Sequence, residues 1–321
     1  MNLKKYFYII LLLQMVFVTA CYTENDLEPS GEITSYSVPQ GDHDYDDVIV
    51  SYYEKYGSCL LYKFTEKDTY WTPSAWMNGV LGEGGKAGYI ISFANENYIG
   101  NQLGVIEDLW FAHYSEEFLS KFLPVTIFLC SEIDSVYMKW DFSTVPFSQK
   151  GIGKKVDAWY NYDNICVGRG NESSTRMTAD DSLKFRDKIN RIFVESILGR
   201  GLSVPTKEFD EVVNYNASKL TSKTRPELWK LGIPRQVNYG ISVANDWKSF
   251  ILMMIGHSEE FLTRVPQYTD NYNDTEKNFD GILNPAKDVN GLLKKRYDMV
   301  RNYFIENYNM DLQSVGNGLY E

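Results

Sequence analysis

Apolar residues recur at three- and four-residue spacing over residues 182–198, SLKFRDKINRIFVESIL. Phe185, Ile189, Ile192, Phe193 and Ile197 fall on one stripe, which predicts an amphipathic helix facing a core. Asp180 or Asp181 can cap its start, and Gly199 and Gly201 suit its end. The rest of the chain is organised around this helix. DDVIVSYYEKYG (46–57) predicts a short helix ended by glycine, and residues 115–122 another. Further on, residues 205–220 read as a helix opened by Pro-Thr-Lys-Glu-Phe. A long one spans 244–265 with Trp247, Phe250, Ile251, Met254 and Ile255 inward. The last covers 286–308, burying Val289, Leu292, Leu293, Tyr297, Val300 and Phe304.

Strands concentrate earlier. SCLLYKF (58–64), PVTIFLC (124–130) and WYNYDNICV (159–167) read as strands, and GYIISFA (88–94) as strand or helix. Residues 71–85 and 169–180 read as loops, and the polar, aromatic stretch 266–285 as an exposed one. With strands mainly in the N-terminal half and helices in the C-terminal half, the pattern favours an α+β single domain over residues 45–321.

The first twenty residues stand apart. Lys4 and Lys5 precede an apolar run, 6–18, that is short for a membrane span and reads as a signal peptide over residues 1–20. Val18-Thr19-Ala20-Cys21 resembles the lipobox of bacterial lipoproteins, which implies lipidation of Cys21 and an acyl anchor in the membrane. The plainer reading is an ordinary signal peptide with an incidental cysteine. Residues 21–44 are acidic and poor in aliphatics, hence a flexible tether. Acids just after the cysteine resemble the export signal of Bacteroidetes surface lipoproteins, which implies an outer-membrane, cell-surface location.

Charge narrows the partners. The formal net charge is −11, and removal of residues 1–20 takes away two lysines and no acid, leaving −13. Such a chain repels phosphate backbones, so nucleic acid is not an expected partner. Cys59, Cys130 and Cys166 remain after Cys21; they allow at most one disulfide and contain no Cys-x-x-Cys pair. Cys59 and Cys130 lie in apolar runs and read as free, buried thiols.

The organising helix carries Val194-Glu195-Ser196-Ile197-Leu198. A zinc-protease helix has His-Glu-x-x-His, two imidazoles one turn apart beside a carboxylate that activates the metal-bound water. Here the glutamate is present and both histidines are aliphatic. Other stretches extend the likeness: residues 46–64, LPVTIFL at 123–129, Ile192-Phe193-Val194-Glu195 with Pro205 and Phe209, YGIS at 239–242 through Asp246, and residues 303–312. Together the chain resembles the zinc-binding metallopeptidase lipoproteins of Bacteroidetes nutrient-uptake loci. That resemblance implies a zincin-like fold, and a place beside a TonB-dependent transporter and its binding lipoprotein. It puts the ligand positions on Val194 and Leu198, the general base on Glu195, and a later acidic pair on Asn245-Asp246. Zinc needs three protein ligands in a catalytic site, and aliphatic side chains supply none. The expectation is a pseudoenzyme without a cofactor.

Alternatives stay open. An active zinc hydrolase would need His113, His257 and acids such as Glu116, Glu117, Glu259 and Glu260 to converge; surface pairs on helices are the simpler reading. His43 falls in the tether and reads as solvated. Glu195 is either a remnant base or an exposed residue partnering Arg191, and Asp246 is a candidate helix cap. There is no Gly-x-Ser-x-Gly and no P-loop, and Gly82 to Gly85 reads as a turn. No spacing singles out paired carboxylates for glycoside hydrolysis. Trp71, Trp76, Tyr268, Tyr272 and Phe279 fall in loops, where they stack on a glycan or peptide ligand or pin the loops down.

Overall fold

The computed structural model describes residues 36–217, 219–234, 240–271, 274 and 276–319. Cys21, most of the tether, Tyr239 and Tyr272 lie outside the described residues. Seven strands form one sheet: β1 (Cys59–Leu61), β2 (Gly82–Glu83), β3 (Gly88–Phe93), β4 (Thr126–Asp141), β5 (Ser148–Lys155), β6 (Ala158–Asn161) and β7 (Asn164–Val167). β4 is the spine, and it changes neighbours midway. Its first five residues, TIFLC, are buried and lie between β1 and β7, both parallel to it, with β6 outside β7. From Cys130 onward it runs between β3 and β5, both antiparallel, with β2 outside β5. In that second half only Ile133 and Val136 are buried, so the apolar run ends well before the strand does.

The stretch 159–167 is not one strand but a hairpin. Tyr162 turns the chain at φ +46°, and Ala158–Asn161 pairs back on Asn164–Val167. GYIISFA resolves as strand β3.

Helices α1 (Asp44–Tyr56), α2 (Glu66–Tyr70), α3 (Ile99–Leu109) and α4 (Glu116–Phe122) precede or interleave the strands. After β7 come α5 (Ala179–Gly199), α6 (Lys207–Glu211), α7 (Arg225–Trp229), α8 (Val243–Gly256), α9 (Glu259–Thr263), α10 (Leu292–Tyr308) and α11 (Leu312–Asn317). The architecture is a mixed α+β fold. In α5 the cap is Thr178, not an aspartate: its Oγ1 accepts from the Asp181 N–H while Asp181 returns to the Thr178 N–H, both at 3.1 Å. Arg200 closes the other end. Its guanidinium donates to the carbonyls of Phe122 and Leu123, tying α5 to the end of α4.

Several predicted boundaries shift. The helix from residue 205 stops at Glu211, and the long helix breaks at His257, where Ser258 caps a separate short helix through the Phe261 N–H. The final long helix starts at Leu292, because the Asp288 carboxylate accepts from the Leu293 and Lys294 N–H groups; Val289 is left exposed. The stretch 266–285 is packed down. Phe279, Ile282 and Leu283 are buried, and the Gly281 and Leu283 N–H groups donate to the carbonyls of Phe261 and Leu262.

Residues from Val38 onward belong to one compact unit. Its core is continuous from Ile49 and Leu60 through α3, α4 and α5 to α8, α10 and α11. The packed unit therefore begins before residue 45. Val38 rests on the core and the Gln40 side chain accepts from the Tyr62 and Lys63 N–H groups. His43 is not simply solvated, because its Nδ1 lies 3.0 Å from Asp46 in the capping box of α1. Cys59, Cys130 and Cys166 are buried and unpaired. Among the described residues no helix is long and apolar enough to cross a membrane.

Candidate functional site

On α5 the two positions that a zinc helix would give to histidine face hydrocarbon. Val194 is 1% exposed, and with Leu198 it borders a space walled by Phe118, Ile251, Phe304 and Leu312. The void between them measures about 10 Å³, no larger than one water needs. Glu195 lies on the flank of the same helix, half-buried. Arg191 hydrogen-bonds to Asp187 at 3.0 Å rather than to Glu195. Burial opposes the Arg191 charge, but Asp187, Glu276 and then Glu195 outweigh it and hold its pKa up. The Tyr89 hydroxyl, stacked by its ring on Trp159 at 4.0 Å, is pushed up mainly by burial and in part by the Glu195 charge.

Asp246 does not cap α8. Ser242 does, accepting from the Asn245 N–H at 3.2 Å. Asp246 points into the interior, where its Oδ2 lies 2.8 Å from Arg296 Nη1 and accepts from the Tyr215 hydroxyl at 2.5 Å. Arg296 is fully buried; it also donates to the Gly232 carbonyl at 2.6 Å and stacks 3.9 Å over Phe209. Burial raises the Asp246 pKa against the pull of Arg296. This carboxylate is committed to an internal ion pair.

The histidines do not converge on one another. His257 meets Glu276 at 3.2 Å, not the neighbouring Glu259 or Glu260, and stacks on Phe261 and Phe279. Glu276 is lowered chiefly by that hydrogen bond, against burial, and by Arg191. His113 has a buried Nε2 without a hydrogen-bond partner, and burial, then Arg186, depresses its pKa to about 4. Among the described residues no three His, Cys, Asp or Glu side chains are grouped to hold a metal.

A different place has the shape of a binding site. Where β4 leaves β7 and has yet to meet β5, the sheet splits and opens a cleft of about 330 Å³. Ser131, Glu132 and Ile133 form one wall, Lys155 to Asp157 the second, and Gly168, Arg169, Asn171 and Ser173 the third. Arg169 is held in the left-handed region at φ +72°, uncommon for a side-chain-bearing residue, and its Nε donates to Asp157 at 2.6 Å. Lys155 pairs with Glu132 at 2.6 Å and Asp134 at 2.9 Å, and Asn171 donates to the Ser131 carbonyl at 2.8 Å. The cleft thus offers cations and anions side by side. That suits a ligand carrying both charges, and its size is that of a small-molecule pocket. The sequence predicts a loop over 169–180, which supplies only Arg169, Asn171 and Ser173 to this cleft. Its only local sign is the flexible pair Gly168 and Gly170 around Arg169.

Of the loop aromatics, Trp71, Trp76 and Tyr268 are exposed, whereas Phe279 is core. A second aromatic group, which the hydrophobic pattern does not single out, stands at the tip of the β4–β5 hairpin: Trp140, Phe142 and Phe147.

No protein-family model matches the chain, and no curated protein matches it. A crystal structure of a candidate zinc-binding metallo-peptidase from Bacteroides caccae matches over 85% of this chain and 88% of that chain, at 11% identity and a TM-score of 0.44.

Proposed function

We propose that this chain is a lipid-anchored binding subunit of a nutrient-uptake system at the cell surface, a metallopeptidase-like pseudoenzyme and not a zinc hydrolase. The observation that carries the reading is the fate of the ligand positions. Val194 is buried in the core, half-buried Leu198 packs against it, and Asp246 is paired with Arg296, so three of the positions that the resemblance assigns to a zinc site serve the fold. The Val18-Thr19-Ala20-Cys21 stretch supports the anchor, and the family resemblance supports a TonB-dependent transporter as the partner. The split-sheet cleft is the ligand seat. Its mixed charges favour the ends and ionic side chains of a peptide over a neutral glycan.

The test is calorimetric titration of the chain with short zwitterionic peptides and with neutral oligosaccharides. Arg169→Gln should weaken peptide binding by about tenfold, the loss expected for one charge-assisted contact. Peptide binding indifferent to Arg169→Gln, or hydrolysis of the peptide, would overturn the reading. Acyl labelling in cells should mark the wild type and not Cys21→Ser; equal labelling would remove the anchor.

A further inference from the structure

Four large apolar side chains stand out at one end of the sheet. Trp140 is 52% exposed, Phe142 69%, Phe147 60% and Val145, at the apex, 95%. Their rings form one group, with centroids 6.3 Å apart for Trp140–Phe142 and 5.3 Å for Phe142–Phe147. Single exposed apolar residues are ordinary, but a contiguous aromatic tip on a hairpin is costly in water and marks a contact surface.

The charge around it names the contact. Residues 136–154 carry three lysines, Lys139, Lys150 and Lys154, against one acid, Asp141, in a chain of net charge −11. Lys150 is 2.9 Å from Asp141 and 3.7 Å from Glu83 of β2, so acids match it, and Lys139 lies across the strands from it. No described acid lies within ion-pair distance of Lys139 or Lys154. An apolar tip with lysines at its base is the arrangement that enters a bilayer interface: rings at the acyl boundary, ammonium groups at the headgroup level. A peptide-binding role belongs to the cleft, which is lined by other residues.

We propose that the β4–β5 hairpin tip docks into a bilayer surface bearing anionic headgroups. This contact is independent of lipidation at Cys21, so it survives if the anchor reading fails.

The experiment uses residues 38–321, a compact unit with its own core that lacks Cys21. Vesicle flotation is run with phosphatidylcholine alone and with one-fifth phosphatidylglycerol. The protein should float with the anionic vesicles. Phe142→Ser with Phe147→Ser should weaken partitioning by about 100-fold, roughly tenfold for each ring withdrawn from the interface. Trp71→Ser with Trp76→Ser, exposed elsewhere, should change it little. Brominated acyl chains should quench the wild-type fluorescence, and Trp140→Phe should lose that quenching while still floating. Circular dichroism confirms that each variant is folded. Absence of flotation, flotation indifferent to the tip variant or to lipid charge, or a hairpin-dependent dimer in sedimentation would each overturn the proposal.

Discussion

Removing the Asp246 carboxylate should cost the fold more than almost any other single side chain on α8. Arg296 is 0% exposed and Asp246 3%, so water screens neither charge. In Asp246→Ala the guanidinium keeps the Gly232 carbonyl and the Tyr215 oxygen but loses its only close anion among the described residues. Breaking one side of a buried pair typically costs about 3–5 kcal/mol, a large part of the 5–15 kcal/mol that holds a domain together. Urea unfolding of residues 38–321 followed by circular dichroism measures the loss, expected as a midpoint about 1–2 M lower. Arg296→Met should be comparably severe and should add a pH dependence. The Asp246 carboxyl, already raised by burial, then has no counter-charge and is raised further. A raised acid binds its proton more tightly when folded, so that variant should lose stability as pH rises from the ordinary carboxylate value through the raised one. Asp246→Leu with Arg296→Met removes both charges and should return to within about 1–2 kcal/mol of the wild type. If Asp246→Ala costs less than about 1 kcal/mol, or the double variant is as unstable as the two singles added, the pair is not the internal brace described here.

Two further outcomes follow from the same geometry. Val194→His with Leu198→His rebuilds the zinc-helix motif in sequence but places imidazoles against Phe118, Ile251 and Phe304; it should destabilise by about 3 kcal/mol or more and take up no zinc, by urea melts and metal analysis. Tight zinc uptake by that variant would show that the positions open onto a site. His113, depressed to about 4 by burial, stays neutral in the fold while the unfolded chain protonates near 6.5. Stability should therefore fall as pH drops from 6.5 towards 4, by at most about 3 kcal/mol before screening, and His113→Gln should flatten the slope. An NMR titration placing His113 above 6 would refute this.

Periodicity made the main helices legible, since Phe185, Ile189 and Ile192, or Tyr297, Val300 and Phe304, are buried for the reason their spacing suggests. Boundaries were not, because they turn on single polar groups. Thr178, Ser258 and Asp288 set where helices begin by accepting N–H groups, and a hydrophobic pattern is blind to that. The second half of β4 was missed because its neighbours β3 and β5, not its own apolarity, hold it extended. The cleft was illegible for a related reason: Glu132, Lys155, Asp157 and Arg169 are brought together by the split of the sheet, at separations in sequence that no motif records. Asp246 could be picked out from the chain, but its partner Arg296 lies fifty residues on, across a packing of α8 and α10.

Metal content decides between a pseudoenzyme and a hydrolase. The chain is purified without chelator, dialysed against zinc at physiological concentration, and analysed by mass spectrometry as wild type, Glu195→Ala and His257→Ala. With Val194 in the core, Leu198 packed against it and Asp246 bound to Arg296, each sample should hold less than about a tenth of an equivalent, because tight zinc sites need several imidazole, thiolate or carboxylate ligands together. Near-stoichiometric zinc in the wild type that disappears in His257→Ala would contradict the pseudoenzyme reading and make His257 and Glu276 the start of a metal centre.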